Sequence, residues 1–365
     1  MNRRISTVLV ALVPVVVFGV LMSAVTVPFV SLGPGPTFDT LGEVDGKQVI
    51  EIKGTEVHPT TGHLNMTTVS QRDDLTLAQA LLLWASGRDQ LVPRELVYPP
   101  GKSREEINEA NTEDFRRSED AAEYAALNYL KYPMAVTVES VNEDGPSAGK
   151  LAEGDAIEAV NGTPVANLDE FQAVLKDTKE GDTVTIDYRR KIGMTPAGNA
   201  ADHDPDTDPG NDPGNREPQR GSVTITLGKH PERDQGYLGI GVLDAPWAPF
   251  TIDFNLANIG GPSAGLIFSL AVIDKLTEGN LADGRFVAGS GTISGDGKVG
   301  AIGFINHKML AAREAGATVF LVPAENCAEA KAADHDGLEL IKVETLDQAV
   351  SALETLPTGG ERPHC

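Results

Sequence analysis

The stretch "IGGPSAGLIFSLAVIDKLTEG" (Ile259–Gly279), followed by "VAGSGTISGDGKVGAIG" (Val287–Gly303) and the helical run "NHKMLAAREAG" (Asn306–Gly316), decides how this chain is read. A serine in a glycine-rich turn that feeds an apolar helix exposes its Oγ. The turn amides then have no helical partners and are available to an oxyanion. Ser263 is therefore a candidate nucleophile, with the backbone N–H groups of Gly261 and Ser263 as candidate oxyanion donors. The turn alone is a weak signal, because the pentapeptide GPSAG occurs twice, at Gly145–Gly149 and Gly261–Gly265. Lys308, 45 residues after Ser263, strengthens it. It opens a helix that next offers Met309, Leu310, Ala311 and Ala312. A lysine facing an apolar pocket loses hydration, its pKa falls, and the neutral amine can take a serine proton. The bland alternative is a surface lysine whose stem lies along the helix.

In order and spacing, these pieces resemble the proteolytic domain of Lon-type proteases from about Asn255 to Ala312. That family has a Gly-Pro-Ser-Ala-Gly nucleophile turn, a Thr-Gly-x-Ile-Thr strand turn, and Ile-Gly-Gly before a helix carrying the lysine. The counterparts here are "GGPSAG", "SGTISGDGKVGAIG" and "INHKMLAA". The resemblance implies Ser263 as nucleophile, Lys308 as general base and Ser290 as a supporting hydroxyl that holds the lysine amine. It also implies a homo-oligomer. Two departures stand out. The family's Asp before Gly-Pro-Ser is Gly260, which bears on substrate positioning. Its Lys-Glu-Lys is Asn306-His307-Lys308, which leaves one candidate lysine. No G-x-x-x-x-G-K-[ST] phosphate loop occurs in the chain, so ATP-independent cleavage of flexible or unfolded polypeptides is expected, with no cofactor and no metal.

Other chemistry is less well supported by the residues. His307 neighbours Lys308, and consecutive helix residues point about 100° apart, so both cannot face Ser263. Cys327 reads as a small buried residue, since nothing nearby in sequence would lower its pKa. Asp202, Asp204, Asp206 and Asp208 alternate as in a calcium loop, but Pro205 and Pro209 spoil the register, and a solvated acidic insert fits better.

The first GPSAG copy sits in different surroundings. "KLAEGDAIEAVNG" after Ser147 builds a strand and an Asn161-Gly162 turn, and it resembles the bacterial PDZ pattern with its Gly-Asp-x-Ile strand. A PDZ domain binds an extended peptide at a sheet edge. The resemblance places that groove between the strand of Met134, Ala135 and Val136 and the helix containing Phe171. "KYPMAV" lacks the glycine-rich carboxylate-binding form common in that family.

The expected architecture is α+β: an N-terminal transmembrane helix, a PDZ-like β-rich module and a Lon-type α+β domain. Residues 1–32 read as cytoplasmic N-terminus and anchor, because Arg3 and Arg4 precede an uncharged apolar run from Ile5 to Leu32. That run exceeds the roughly 20 residues a membrane span needs, and the rival reading is a cleaved signal peptide, for which Ser23-Ala24-Val25 offers small residues. Residues 33–130 read as an N-terminal extracytoplasmic segment without a chemical motif, opened by the exit linker "GPGPTFDTLG" (Gly33–Gly42). The PDZ-like domain takes 131–235, with an acidic disordered insert at 193–221, and the Lon-type domain takes 236–356. A frayed tail takes 357–365. Asp74 or Thr76 is placed to cap one helix, with Gly87 closing it, and Ser103, with Glu106 three positions on, is placed to cap the next.

The formal charge of −23 argues against nucleic acid as a partner. Two cysteines make no disulfide framework. The whole order resembles membrane-anchored bacterial PDZ–Lon proteases, which implies cleavage of exported polypeptides recruited through the PDZ domain, outside a cell membrane held by a single span. The alternative reading is a catalytically silent membrane scaffold that recruits partners through the PDZ domain.

Overall fold

The computed structural model describes residues 3–194, 217–231 and 233–365, with side chains from residue 11 onward. The chain runs through α1 (Arg3–Ala24), β1 (Phe29–Asp39), β2 (Ile50–Lys53), β3 (His63–Arg72), α2 (Leu77–Ser86), β4 (Gln90–Pro93) and α3 (Arg104–Tyr129). It continues with β5 (Met134–Val141), β6 (Ala156–Val160), α4 (Leu168–Leu175), β7 (Thr183–Arg190), β8 (Gln219–Thr226), β9 (Ile240–Pro246) and β10 (Thr251–Phe254). Last come α5 (Gly265–Leu276), β11 (Phe286–Gly289), β12 (Thr292–Ile293), β13 (Val299–Gly300), α6 (Ile305–Ala315), β14 (Val319–Pro323), α7 (Cys327–Ala332), β15 (Glu339–Val343) and α8 (Leu346–Thr355).

Two sheets organise these elements. The larger runs β15-β14-β11-β3-β1-β4, so strands from residues 29–93 and 286–343 share one hydrogen-bonded layer. β11 pairs in parallel with both β3 and β14, whereas β1 is antiparallel to β3 and β4. Alternate residues of the parallel strands enter opposite cores. Val287, Val319 and Leu321 join the cluster containing α5 and α8, while Ala288, Phe320 and Val322 join the one containing α6. That is the two-residue period of a strand buried on both faces, and it explains why "VFLVP" is apolar throughout. The second sheet runs β8-β7-β6-β5-β9 around its own core, which includes Val136, Ile157, Phe171, Ile186 and Ile225.

Local signals account for several elements. Thr76 and Ser103 each close a capping box, Gly87 ends α2 at φ 69, and Asn167 caps α4. β7 and β8 pair over their whole length, Thr183 opposite Thr226 and Arg190 opposite Gln219. The acidic insert between them, with Asp202 to Asp208, lies outside the described residues from 195 to 216.

Three expectations are corrected. No helix among the described residues is long and apolar enough to cross a membrane, so the transmembrane helix and the single-pass membrane placement are not supported. The apolar run does not form one helix. α1 contains Pro14, which lacks an N–H, and it stops at Ala24. From Phe29 the run enters β1, where Val30 and Leu32 are buried in the protein's own core at 0% and 4% exposure. The "exit linker" is likewise strand. β1 pairs with β3 through Pro34 and resumes at Thr37, with a register irregularity between them. Gly35 lies so close to Thr68 that a Cβ would clash with its Oγ1.

The tail is not frayed either. Cys365 is disulfide-bonded to Cys327, Lys342 N–H donates to the Pro363 carbonyl, and Arg362 pairs with Glu339 at 2.9 Å. Two cysteines 38 residues apart carry no local signal of pairing; the fold brings them together.

Candidate active site

The large sheet positions the site. α5 covers one face and α6 the other, and both begin near the carboxyl end of β11, which is followed at once by Ser290. Crevices at the carboxyl ends of parallel strands are where α/β sheets place ligands. Ser263 lies just before α5, whose first helical residue is Gly265. Lys308 lies in the first turn of α6.

The loop into α6 is held from behind. Asn326, buried, accepts the Ile302 N–H and donates Nδ2 to the Ile302 carbonyl, both at 2.9 Å. Phe304 then enters the helix at φ 58.

Lys308 Nζ is 2.6 Å from Ser263 Oγ and 2.8 Å from Ser290 Oγ. The lysine is 4% exposed. Burial lowers its pKa from 10.5 to about 8, and no charged partner acts against that shift. Ser290 directs the amine. Its hydroxyl donates to the Ser263 carbonyl at 3.0 Å, so its oxygen can only accept from Lys308. The neutral amine's lone pair is thereby left for the Ser263 hydroxyl. Gly291 N–H also donates to the Ser263 carbonyl at 3.0 Å, which fixes the turn to the end of β11.

Of the two expected oxyanion donors, Gly261 is engaged elsewhere: its N–H donates to the Asn111 carbonyl of α3 at 2.9 Å. Ser263 and Ala264 N–H donate to no group among the described residues, and they lie at the positive end of α5. Gly260, where the resembled family has Asp, is pressed against α3; a Cβ there would be 2.8 Å from Asn111 Cβ. His307 is buried against the Arg88 backbone, with its imidazole pKa lowered by burial, and it does not line the cavity.

A cavity of about 620 Å³ opens on Ser263 and Lys308. Its walls include Phe38, Met66, Val69, Phe115, Ile259 and Phe304. Four of these six come from residues 33–130, where no chemical motif is legible. They reach the site only because β1 and β3 join the sheet of β11 and α3 packs on α5.

In the second sheet, β5 is flanked by β6 and β9, so it offers no free edge. Ala135, Val136 and Phe171 are buried core and only Met134 is exposed. The sheet has two edge strands, β8 and β9, and β9 is the one beside α4, whose Leu168 N–H donates to Asp244 Oδ1 of β9 at 2.8 Å. The glycine-rich form missing from "KYPMAV" stands immediately before that edge, as Gly236-Tyr237-Leu238-Gly239, with Gly239 at φ 75.

Comparison with known proteins agrees with both halves. Residues 110–197 match the PDZ domain family, and residues 258–355 match the Lon protease (S16) C-terminal proteolytic domain. The chain pairs a PDZ domain with a Lon-type serine peptidase domain.

The Lon protease of Heliobacterium modesticaldum is 36% identical over 108 residues, which is 28% of this chain and 13% of that one. The Lon protease of Haemophilus influenzae is 39% identical over 105 residues, again 28% and 13%. This chain thus spans about 13% of the length of the curated relatives it matches. Among solved structures, the PDZ domain of an SdrC-like protein from Listeria monocytogenes is 25% identical, covering 30% of this chain and 86% of that one, at a TM-score of 0.21. Its counterpart from Listeria innocua is 27% identical, covering 30% and 92%, also at 0.21.

Proposed function

We propose that the chain is a serine endopeptidase in which Ser263 is the nucleophile and Lys308 the general base, acting on polypeptides that the PDZ domain recruits. The observation that carries this reading is the buried amine 2.6 Å from Ser263 Oγ, with its pKa lowered to about 8. A silent scaffold would give no reason to desolvate an amine beside a serine.

In the reaction, neutral Lys308 takes the Ser263 proton as Oγ attacks the peptide carbonyl. The N–H groups of Ser263 and Ala264 are the candidate donors to the oxyanion. The lysine ammonium returns its proton to the leaving amine. Water, deprotonated by the same lysine, then hydrolyses the acyl-serine. The wall of Phe38, Met66, Val69 and Phe115 suits an apolar side chain next to the cut bond. A chain end added to β9 would be concentrated near this cavity. Assembly of several copies belongs to the same proposal.

Cleavage of casein by the full chain and by Ser263→Ala tests the reading. Loss of cleavage in the variant supports it; equal rates in the two proteins would end it.

A further inference from the structure

α3 touches the nucleophile turn at one end and the peptide-binding sheet at the other. It is 26 residues long, about 39 Å at 1.5 Å per residue, and its buried face packs on α5. In its first half the Asn111 carbonyl accepts the Gly261 N–H, and at its middle Ser118 Oγ donates to the Pro262 carbonyl at 3.1 Å. Toward its C-terminal end, Tyr124 OH donates to the Asp244 carbonyl of β9 at 3.3 Å. The Tyr124 ring also lies on Gly295, where a Cβ would be 2.6 Å from Cδ1, and Asn128 Nδ2 donates to the Gly295 carbonyl at 3.1 Å. Gly295 is in the β12–β13 turn, which leads directly from Ser290. One helix therefore contacts the free-edge strand, the nucleophile turn and the hairpin that follows the supporting serine.

We propose that α3 couples the two domains: occupation of the β9 edge displaces the Tyr124 contact, shifts α3 and releases the nucleophile turn, with Tyr124 and Ser118 as positioning residues. This rests on the reading of Ser263 and Lys308 given above and adds its regulation. A peptide strand on β9 brings its own donors to an edge where Tyr124 already occupies the Asp244 carbonyl. A helix moves as a rigid rod, so a shift at Tyr124 reaches Asn111, 13 residues away. While Gly261 N–H stays on Asn111 it cannot serve an oxyanion; once released, it adds a donor, and one such donor is worth about 10²- to 10³-fold in kcat. The resting enzyme is thus held below its full rate until a chain end occupies the PDZ edge.

The test uses the full chain and a ten-residue internally quenched peptide with leucine at its centre, together with hydrogen exchange of residues 258–266. Tyr124→Phe deletes the hydroxyl contact without changing the ring. It is expected to raise kcat at least about tenfold with KM unchanged and to speed exchange in that segment at least about tenfold. Ser118→Ala, which loosens the same turn, is expected to act in the same direction, and the double variant to add less than the product of the two. Unchanged exchange in Tyr124→Phe overturns the coupling whatever the activity. A kcat that falls together with the melting temperature also overturns it, since that marks a merely structural tyrosine. Wild type against Ser263→Ala, run alongside, reports separately on the peptidase reading.

Discussion

The two GPSAG copies have identical residues and different surroundings. In Gly145–Gly149 the left-handed residue is the last glycine, at φ 69; in Gly261–Gly265 it is the first, at φ 88, and the last enters α5. Ser147 is fully buried and its hydroxyl donates to the Leu238 carbonyl at 2.7 Å, which ties the turn to the loop before β9. Ser263 is half-buried, faces a cavity and has an amine at 2.6 Å. A serine hydroxyl is inert until a base is aimed at it. What separates the copies is α6 and Ser290 beside one and a backbone carbonyl beside the other.

The sharpest way to break this comparison is to exchange the effects of mutating the two serines. Ser263→Ala and Lys308→Ala should each lower kcat by at least about 10⁴-fold, as for other nucleophile and base deletions, measured on a short peptide. Ser147→Ala should not change kcat on that peptide. If Ser147→Ala matched Ser263→Ala in activity loss, the distinction would collapse. The wild-type pH profile carries the same argument. In the proposed mechanism only neutral Lys308 acts as base, so kcat/KM should climb about tenfold per pH unit below about 8 and level off above it. Because the folded pKa lies below 10.5, the unfolded chain binds more protons between about 8 and 10.5, so this group's contribution to stability rises with pH across that window.

Next in size is the disulfide that pins the tail behind α6, where Cys327 and Cys365 pack beside Ile305 and Met309. Closing a loop of 38 residues is worth about 4 kcal/mol in the chain-entropy estimate. Cys365→Ser should lower unfolding free energy by about that much in a denaturant titration.

Ser290→Ala should cost roughly 1.5–3 kcal/mol of transition-state stabilisation, about 10- to 150-fold in kcat, by leaving the lysine unaimed. Ser147→Ala should cost about 1–3 kcal/mol in stability, because it leaves the Leu238 carbonyl unpaired. The smallest effect concerns Glu119 on α3. Burial, with Asp120 adding to it, raises its pKa from 4.5 to about 7. Its contribution to stability is full below 4.5 and is lost as pH rises through about 7; Glu119→Gln should flatten that part of the melting-temperature profile.

Much of the site was legible because its signals are local. A glycine-flanked serine before an apolar run, a hairpin with a serine at its root and a helix opening with one lysine are short patterns in a fixed order. The cap at Ser103 was legible for the same reason, and that of α2 was narrowed to Asp74 or Thr76, since a cap is satisfied within one helical turn. The β1–β3 pairing, the division of the apolar run between α1 and β1, the Cys327–Cys365 bond and the β9 edge were not. Each depends on a partner supplied by distant chain. The PDZ resemblance puts the groove at β5, but β9, 240–246, pairs along that strand and takes its edge.

The sequence by itself determined which residues are able to react, because an alcohol, an amine and a glycine-rich turn are properties of side chains and short backbone. Only the tertiary structure decided which of them meet. It brought two helices from opposite faces of one sheet to the end of β11, stripped water from Lys308, and gave Ser147 a carbonyl where Ser263 has an amine. Desolvation and aim are set by neighbours that are distant in the chain, and a pentapeptide holds neither.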